Sequence, residues 1–127
     1  MILGGVTSPA MNARLAELDV CDLTTIGRKS GRERTVEIWF AMKDSTVYLL
    51  SGGGGSAQWV QNLVANPEVR VALGRRRYVG TARLVESADE DRQARELLAA
   101  KYQGWRPGKR LSAWARDSLP VAIDLAG

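Results

Sequence analysis

The sequence predicts a mainly β domain with flanking helices, an α+β arrangement built on a barrel of about six mostly antiparallel strands. Three observations carry that expectation. Short β-branched runs follow one another across turn-like segments, as hairpins do. Few helical segments lie between them, which leaves little room for parallel crossovers. No G-x-G-x-x-G follows the first strand and no βαβ unit repeats, so the dinucleotide-binding fold drops out. With 127 residues the chain suits one domain, residues 1–127, and six strands in so short a chain should curl rather than lie flat.

Each element has its own justification. Ser8-Pro9 reads as a helix cap followed by proline at the first helical position, and Met11, Leu15 and Leu18 recur at helical spacing through residues 9–19. Val20 to Ile26 is β-branched and strand-like. Thr35 to Met42 alternates as one half-buried strand, with Val36, Ile38, Phe40 and Met42 on one face and Thr35, Glu37, Trp39 and Ala41 on the other. Lys43-Asp44-Ser45 turns the chain into a third strand, Thr46 to Ser51. Ser56 is placed to cap a helix with Trp59, Leu63 and Val60 facing inward, and Asn66-Pro67 ends it. Glu68 to Leu73 and Tyr78 to Glu86 pair across GRRR. Ser87 and Glu90 form a capping box for a helix to about Tyr102 with Leu97 and Leu98 inward. Arg110 to Asp117 reads as a helical turn or two, and PVAIDL, residues 120–125, closes as the last strand.

Composition excludes whole classes of chemistry. The chain has no histidine and one cysteine, so it cannot build a Ser-His-Asp triad, a Cys-His dyad, a histidine-bound zinc or an internal disulfide. No metal site is expected, and Cys21 reads as a small buried hydrophobe. No apolar run approaches the roughly 20 residues of a membrane-spanning helix, and the N-terminus lacks a basic region ahead of an apolar one. A cytoplasmic protein is the expectation. Chemistry here should be carried by something bound.

The net charge of +4 is local. Arg28, Lys29, Arg32 and Arg34 against Glu33 supply +3, and Arg75, Arg76 and Arg77 supply another +3, so the remaining residues sum to −2. Local charge suits an anionic ligand held at a site. GRKSGRERT, residues 27–35, lacks the Walker spacing, since only Gly27 and Arg28 precede Lys29, so a nucleotide triphosphatase is set aside. The turn can grip phosphate or carboxylate through charge-assisted hydrogen bonds, or it can be a solvated hairpin tip. The run Gly52 to Gly55 can bring bare backbone against a flat ring or an anion, or it can be a plain connection. On the residues alone, both alternatives stay open at both places.

Taken in order, LTTIGRKSGRERT, a strand, a glycine run, WVQNLVANPEVRV and a closing Pro-Val strand resemble the deazaflavin-dependent nitroreductase and quinone reductase family over about residues 8–125. The resemblance implies a split β-barrel of the flavin mononucleotide (FMN)-binding type. Its cofactor would be F420, an 8-hydroxy-5-deazaflavin whose tail carries phosphate and glutamates. It implies that Arg28, Lys29, Ser30 and Arg34 hold the tail and that Val36, Ile38 and Trp39 line the pocket. It further implies that Leu50, Ser51, Gly52 and Gly53 lie against the ring, Ser51 being a candidate hydrogen-bond donor to the reaction, and that Gln58, Trp59 and Asn62 complete the site. Where family members often carry lysine and tyrosines, this chain has Gly52 and Trp39, with Tyr102, Trp105 and Trp114 in its C-terminal third. The implied activity is hydride transfer from reduced F420 to a quinone, nitroaromatic or activated alkene, by a protein that pairs into homodimers. The alternatives are an FMN oxidoreductase of the same barrel, a carrier without turnover, and a basic β-barrel that binds nucleic acid through Arg28, Arg34 and Arg75 to Arg77.

Overall fold

The computed structural model describes residues 9–126. Helix α1 (Pro9–Ala16) is shorter than its periodicity suggested, but Leu15 and Leu18 still pack on the barrel interior. The Ser8 cap and the Met11 side chain lie outside the described residues. Strand β1 (Cys21–Ile26) turns Cys21, Leu23 and Thr25 to the interior, and all three are buried. Strand β2 (Glu33–Ile38) pairs with β1 in the register Thr25↔Arg34, Leu23↔Val36 and Cys21↔Ile38. Directly opposed residues share a sheet face, so Arg34, Val36 and Ile38 stand on the interior side and Glu33, Thr35 and Glu37 on the outer side.

The expected strand from Thr35 to Met42 is two strands. After Ile38 the alternation breaks, and Phe40 and Ala41 are both buried while Trp39 is 44% exposed. Strand β3 (Ala41–Lys43) then pairs with β4 (Thr46–Ser51) across a two-residue turn with Asp44 at φ 55°. Helix α3 (Ala88–Gln103) causes the break by taking the backbone groups of Phe40. The Tyr102 hydroxyl accepts from the Phe40 N–H at 3.0 Å, and Lys101 Nζ donates to the Phe40 carbonyl at 2.9 Å. Side chains of the next helix thus replace a ladder pairing, which no local periodicity reports.

Helix α2 (Gln58–Ala65) leads to β5 (Glu68–Leu73) and β6 (Arg76–Leu84), and the short α4 (Ala113–Asp117) leads to β7 (Leu119–Leu125). The sheet runs β2-β1-β5-β6-β7-β4-β3, all antiparallel, with seven strands where about six were expected. Its two edge strands, β2 and β3, are joined by Trp39 and Phe40 alone. Three Cα steps from Ile38 to Ala41 reach at most about 11 Å, so the edges must meet there and the sheet curls into a barrel.

Three smaller expectations are corrected. Ser56 does not cap α2: Ala57 occupies that position, and the Ser56 hydroxyl donates to the Gly53 carbonyl at 2.8 Å inside a 3-10 turn. The turn between β5 and β6 is Gly74-Arg75 only, which puts Arg76 and Arg77 on the strand. The Ser87 hydroxyl accepts from the Glu90 N–H at 3.0 Å, but the Glu90 carboxylate leaves the cap to bind Arg83. Val60 and Leu63 of α2 enter the interior cluster, whereas α3 and α4 cover Ala41, Tyr48, Leu50 and Ala122 on the outside. Strand β4 is therefore buried on both faces.

Candidate functional site

The basic turn owes its shape to its own small residues. The Gly27 N–H donates to the Arg32 carbonyl at 2.7 Å, and the Ser30 hydroxyl accepts from the Arg32 N–H at 3.1 Å. A Cβ on Gly27 would lie 2.7 Å from Ser30 Oγ and 3.2 Å from the Arg32 carbonyl, so a larger residue there must push the Ser30 hydroxyl off its bond to Arg32. Ser30, expected to face an anion, is spent partly on this turn.

Arg28 is tied down. Its guanidinium donates to Gln58 Oε1 and Asn62 Oδ1, both at 2.9 Å, and its backbone N–H donates to Asn62 Oδ1 at 3.2 Å. Asn62 is buried and donates in turn to Thr25 Oγ1 at 3.3 Å. The chain Thr25–Asn62–Arg28 thus latches the turn onto α2. Lys29 and Arg34 have no hydrogen-bond or ion-pair partner among the described residues, whereas Glu33 is paired with Arg70. Between them opens a groove of about 630 Å³, lined by the basic turn, Val36 and the α2 side chains Gln58, Trp59 and Asn62. Its lining places two uncommitted cations beside one held cation and a half-buried indole, which suits an elongated anion with an apolar portion.

The remaining expected residues form a second group. Trp39 stacks on Tyr102 (centroids 4.2 Å apart, planes within 2°) and meets Trp114 edge-on at 5.5 Å. Leu50 is buried beside Trp114 in the outer cluster, and a Cβ on Gly52 would sit 3.9 Å from Trp114 Cδ1. Ser51 is buried, and its hydroxyl donates to the Gly54 carbonyl at 2.9 Å, so it closes the glycine loop instead of presenting a free donor. Gly53 has an ordinary backbone at φ −82°, whereas Gly54 at φ +63° is the position of the run that favours glycine by conformation. Ile38 is half-buried against the interior cluster and lies outside the groove lining. Arg28, Lys29, Ser30, Arg34, Val36, Gln58, Trp59 and Asn62 are therefore together, and Trp39, Leu50 and Gly52 gather around Trp114. Thr25, which receives the Asn62 hydrogen bond, carries no motif that marks it in the sequence. Its one signal was a hydroxyl at an inward position of β1, between Leu23 and a turn.

The second arginine cluster is elsewhere. Cys21 and Leu73 stand at the end of the sheet where the β5–β6 turn carries Arg75, while the basic turn follows Ile26 at the other end. The six residues of β1 separate the two clusters by roughly 20 Å.

The sequence profile of the F420H(2)-dependent quinone reductase family matches residues 6–125. The chain belongs to that family. An F420H(2)-dependent quinone reductase of Mycobacterium tuberculosis is 38% identical over 73 residues, which cover 54% of this chain and 48% of that protein. The chain thus matches about half the length of its curated relatives. Among solved structures, an F420-H2 dependent reductase is 25% identical with a TM-score of 0.63, covering 85% of this chain and 94% of its own. A chain described as a domain-swapped dimer is 26% identical with a TM-score of 0.62, covering 85% and 80%. The fold is the split barrel of the F420-H2 dependent reductase, and the cofactor the family implies is F420. No helix among the described residues is long and apolar enough to cross a membrane.

Proposed function

We propose that this chain is an F420H2-dependent oxidoreductase that passes hydride to an electron-poor acceptor of the quinone, nitroaromatic or activated-alkene type. The observation that carries the reading is the groove in which Arg28 is latched by Asn62 while Lys29 and Arg34 keep their charges uncommitted. Such an arrangement fits the phosphate and glutamates of an F420 tail, because unpaired cations beside a fixed backbone lose little on meeting an anion. Bound F420H2 supplies the hydride, and the protein supplies orientation and exclusion of water. Lys29 and Arg34 neutralise the tail, Trp59 and Val36 form the apolar wall, and Ser51 holds the glycine loop in shape. Trp39 and Trp114 offer flat apolar surface beside Gly52 for the ring or the acceptor.

Calorimetric titration of the purified protein with F420 and with FMN, side by side, tests the cofactor. The expected result is saturable F420 binding and a colourless preparation from a host that makes no F420. A yellow preparation with stoichiometric FMN makes the protein a flavin enzyme instead. Adding menadione to protein and F420H2 should consume the reduced cofactor, and tight binding without turnover on quinones, nitroaromatics and enones makes it a carrier. Residues 1–127 are read as one domain, working in the cytoplasm as a homodimer.

A further inference from the structure

Helix α4 is too short to hold itself. Five residues close little more than one turn, well below the length at which a helix is stable in water. Both of its ends are tied to α3 instead. At the start, the Ser112 hydroxyl accepts from the Ala115 N–H at 3.1 Å and donates to Gln103 Oε1 at 2.7 Å. At the end, Arg95 Nη1 donates toward the carbonyls of Ala115, Arg116 and Ser118 at 3.0, 2.6 and 2.7 Å. The last carbonyls of a helix have no partner within it, so one guanidinium nitrogen meets a need that α4 cannot meet alone. Asp91, one turn back along α3, accepts from Arg95 Nε at 2.6 Å and fixes the guanidinium in place. The Arg95 side chain is 17% exposed, so these charge-assisted bonds are largely shielded from water.

Between the two ties stands Trp114. Its ring meets Trp39 edge-on, it packs on the outer cluster with Leu50, and its Cδ1 lies 3.9 Å from where a Gly52 Cβ would be. The glycine loop has no side chain with which to hold the indole there, so the position of Trp114 follows that of its backbone. A shift of α4 by an ångström changes the space between the indole and Gly52 by as much, and displacements of that size matter where donor and acceptor must meet in register. Arg83 offers the contrast. Its guanidinium binds Glu90 and Asp124 and makes no bond to α4.

We propose that Arg95 is a positioning residue for the acceptor: by clamping the end of α4 it sets Trp114 against Trp39 and the glycine loop, and so sets how well a flat, electron-poor acceptor is held. The acceptor role rests on the hydride-transfer reading; the clamp rests on the hydrogen bonds alone. Arg95 takes no part in lining the groove of the basic turn. Its loss should therefore fall on the acceptor constants and spare the grip on the F420 tail.

Arg95→Met in the full chain tests this, with Arg83→Met as the control that removes a guanidinium bonded away from α4. In Arg95→Met, kcat/KM for menadione should fall about tenfold, chiefly through KM, while the Kd of F420 by calorimetry stays within about twofold. The part of the near-ultraviolet circular dichroism that Trp114→Phe removes should be largely lost as well, a readout that needs no turnover. Arg83→Met should leave the menadione constants and that signal unchanged. Arg95→Lys, which keeps the charge and can still donate to carbonyls, should recover part of both. Ser112→Ala loosens the other tie and should shift both in the same direction, about threefold in kcat/KM; it carries the test if Arg95→Met does not fold. An unchanged signal in folded Arg95→Met overturns the clamp. A lost signal with native menadione constants overturns the acceptor role, and equal losses in Arg83→Met overturn the assignment to Arg95. If the native protein turns over no acceptor, the hydride-transfer reading falls and the acceptor role with it, while the signal still decides whether Arg95 sets Trp114.

Discussion

Arg34 and Arg83 carry the same guanidinium on strands of one sheet, and their surroundings give them opposite uses. Around Arg83, Nε donates to Asp124 Oδ2 at 2.7 Å, and the two terminal nitrogens fork onto Glu90 at 2.7 and 2.8 Å. The Tyr48 hydroxyl adds a bond to Glu90 at 2.7 Å, and Thr46 adds one to Asp124 at 3.0 Å. Bonds from Arg83, then Tyr48, hold the Glu90 carboxyl down at about 2, and burial followed by the bond to Glu90 pushes the Tyr48 phenol up to about 12. This cluster ties β4, β6 and β7 to the start of α3. Around the groove the donors of Arg34 on β2 and Lys29 on the turn meet no acceptor in the described chain, although the turn is fixed by Arg28 and Asn62. A paired cation holds the fold together. An unpaired cation on a rigid frame is kept for something else.

The largest expected effect separates the two regions by ligand. A deazaflavin fragment without the phosphate–glutamate tail should bind two to four decades more weakly than whole F420, since two charge-assisted hydrogen bonds at roughly 1.5–3 kcal/mol each are lost. Equal affinities for fragment and cofactor, measured by tryptophan quenching, would return the basic turn to a solvated hairpin. Arg34→Ala should weaken whole F420 by about one to two decades, leave the fragment unchanged and leave folding stability unchanged. Arg83→Met should do the reverse. It strands Glu90 and Asp124 and should cost about 2 kcal/mol in urea unfolding, less than a fully buried pair would, because the Arg83 side chain is 40% exposed. Its F420 affinity should stay within about twofold; a parallel loss of both would mean that the regions are coupled.

Acid should weaken the paired cluster. The folded-state pKa of Glu90 lies below its ordinary 4.5, so its stabilising contribution is full above that value and is lost as pH falls through about 2. Between those limits the thermal midpoint of the native protein should drop more than that of Glu90→Gln, and parallel curves would remove Glu90 from the account. The smallest effect belongs to the glycine loop. Gly54→Ala forces a Cβ into a left-handed backbone at φ +63° and should cost about 1 kcal/mol, whereas Gly53→Ala at φ −82° should be near neutral in stability. If Gly53→Ala nonetheless weakens F420 binding, a ligand approaches that bare backbone.

By itself the sequence determined most of the strands, the antiparallel character of the sheet and the candidate site's positive charge. Those features are local: alternation places one strand's faces, turn residues end it, and charge sums along the chain whatever the fold. Tertiary structure alone decided that Thr35 to Met42 would split and send its halves to opposite edges of the sheet. The Phe40 backbone finds its partners on Tyr102 and Lys101, some sixty residues away. It also decided which cations are free. Nothing in GRKSGRER says that Arg28 will be held by Asn62 while Arg34 is not; that difference comes from the register of β2 on β1, which turns Arg34 toward the interior side beside Thr25, and from the docking of α2. Composition states how many charges a chain carries, but partners brought together from distant positions set which of them are already neutralised.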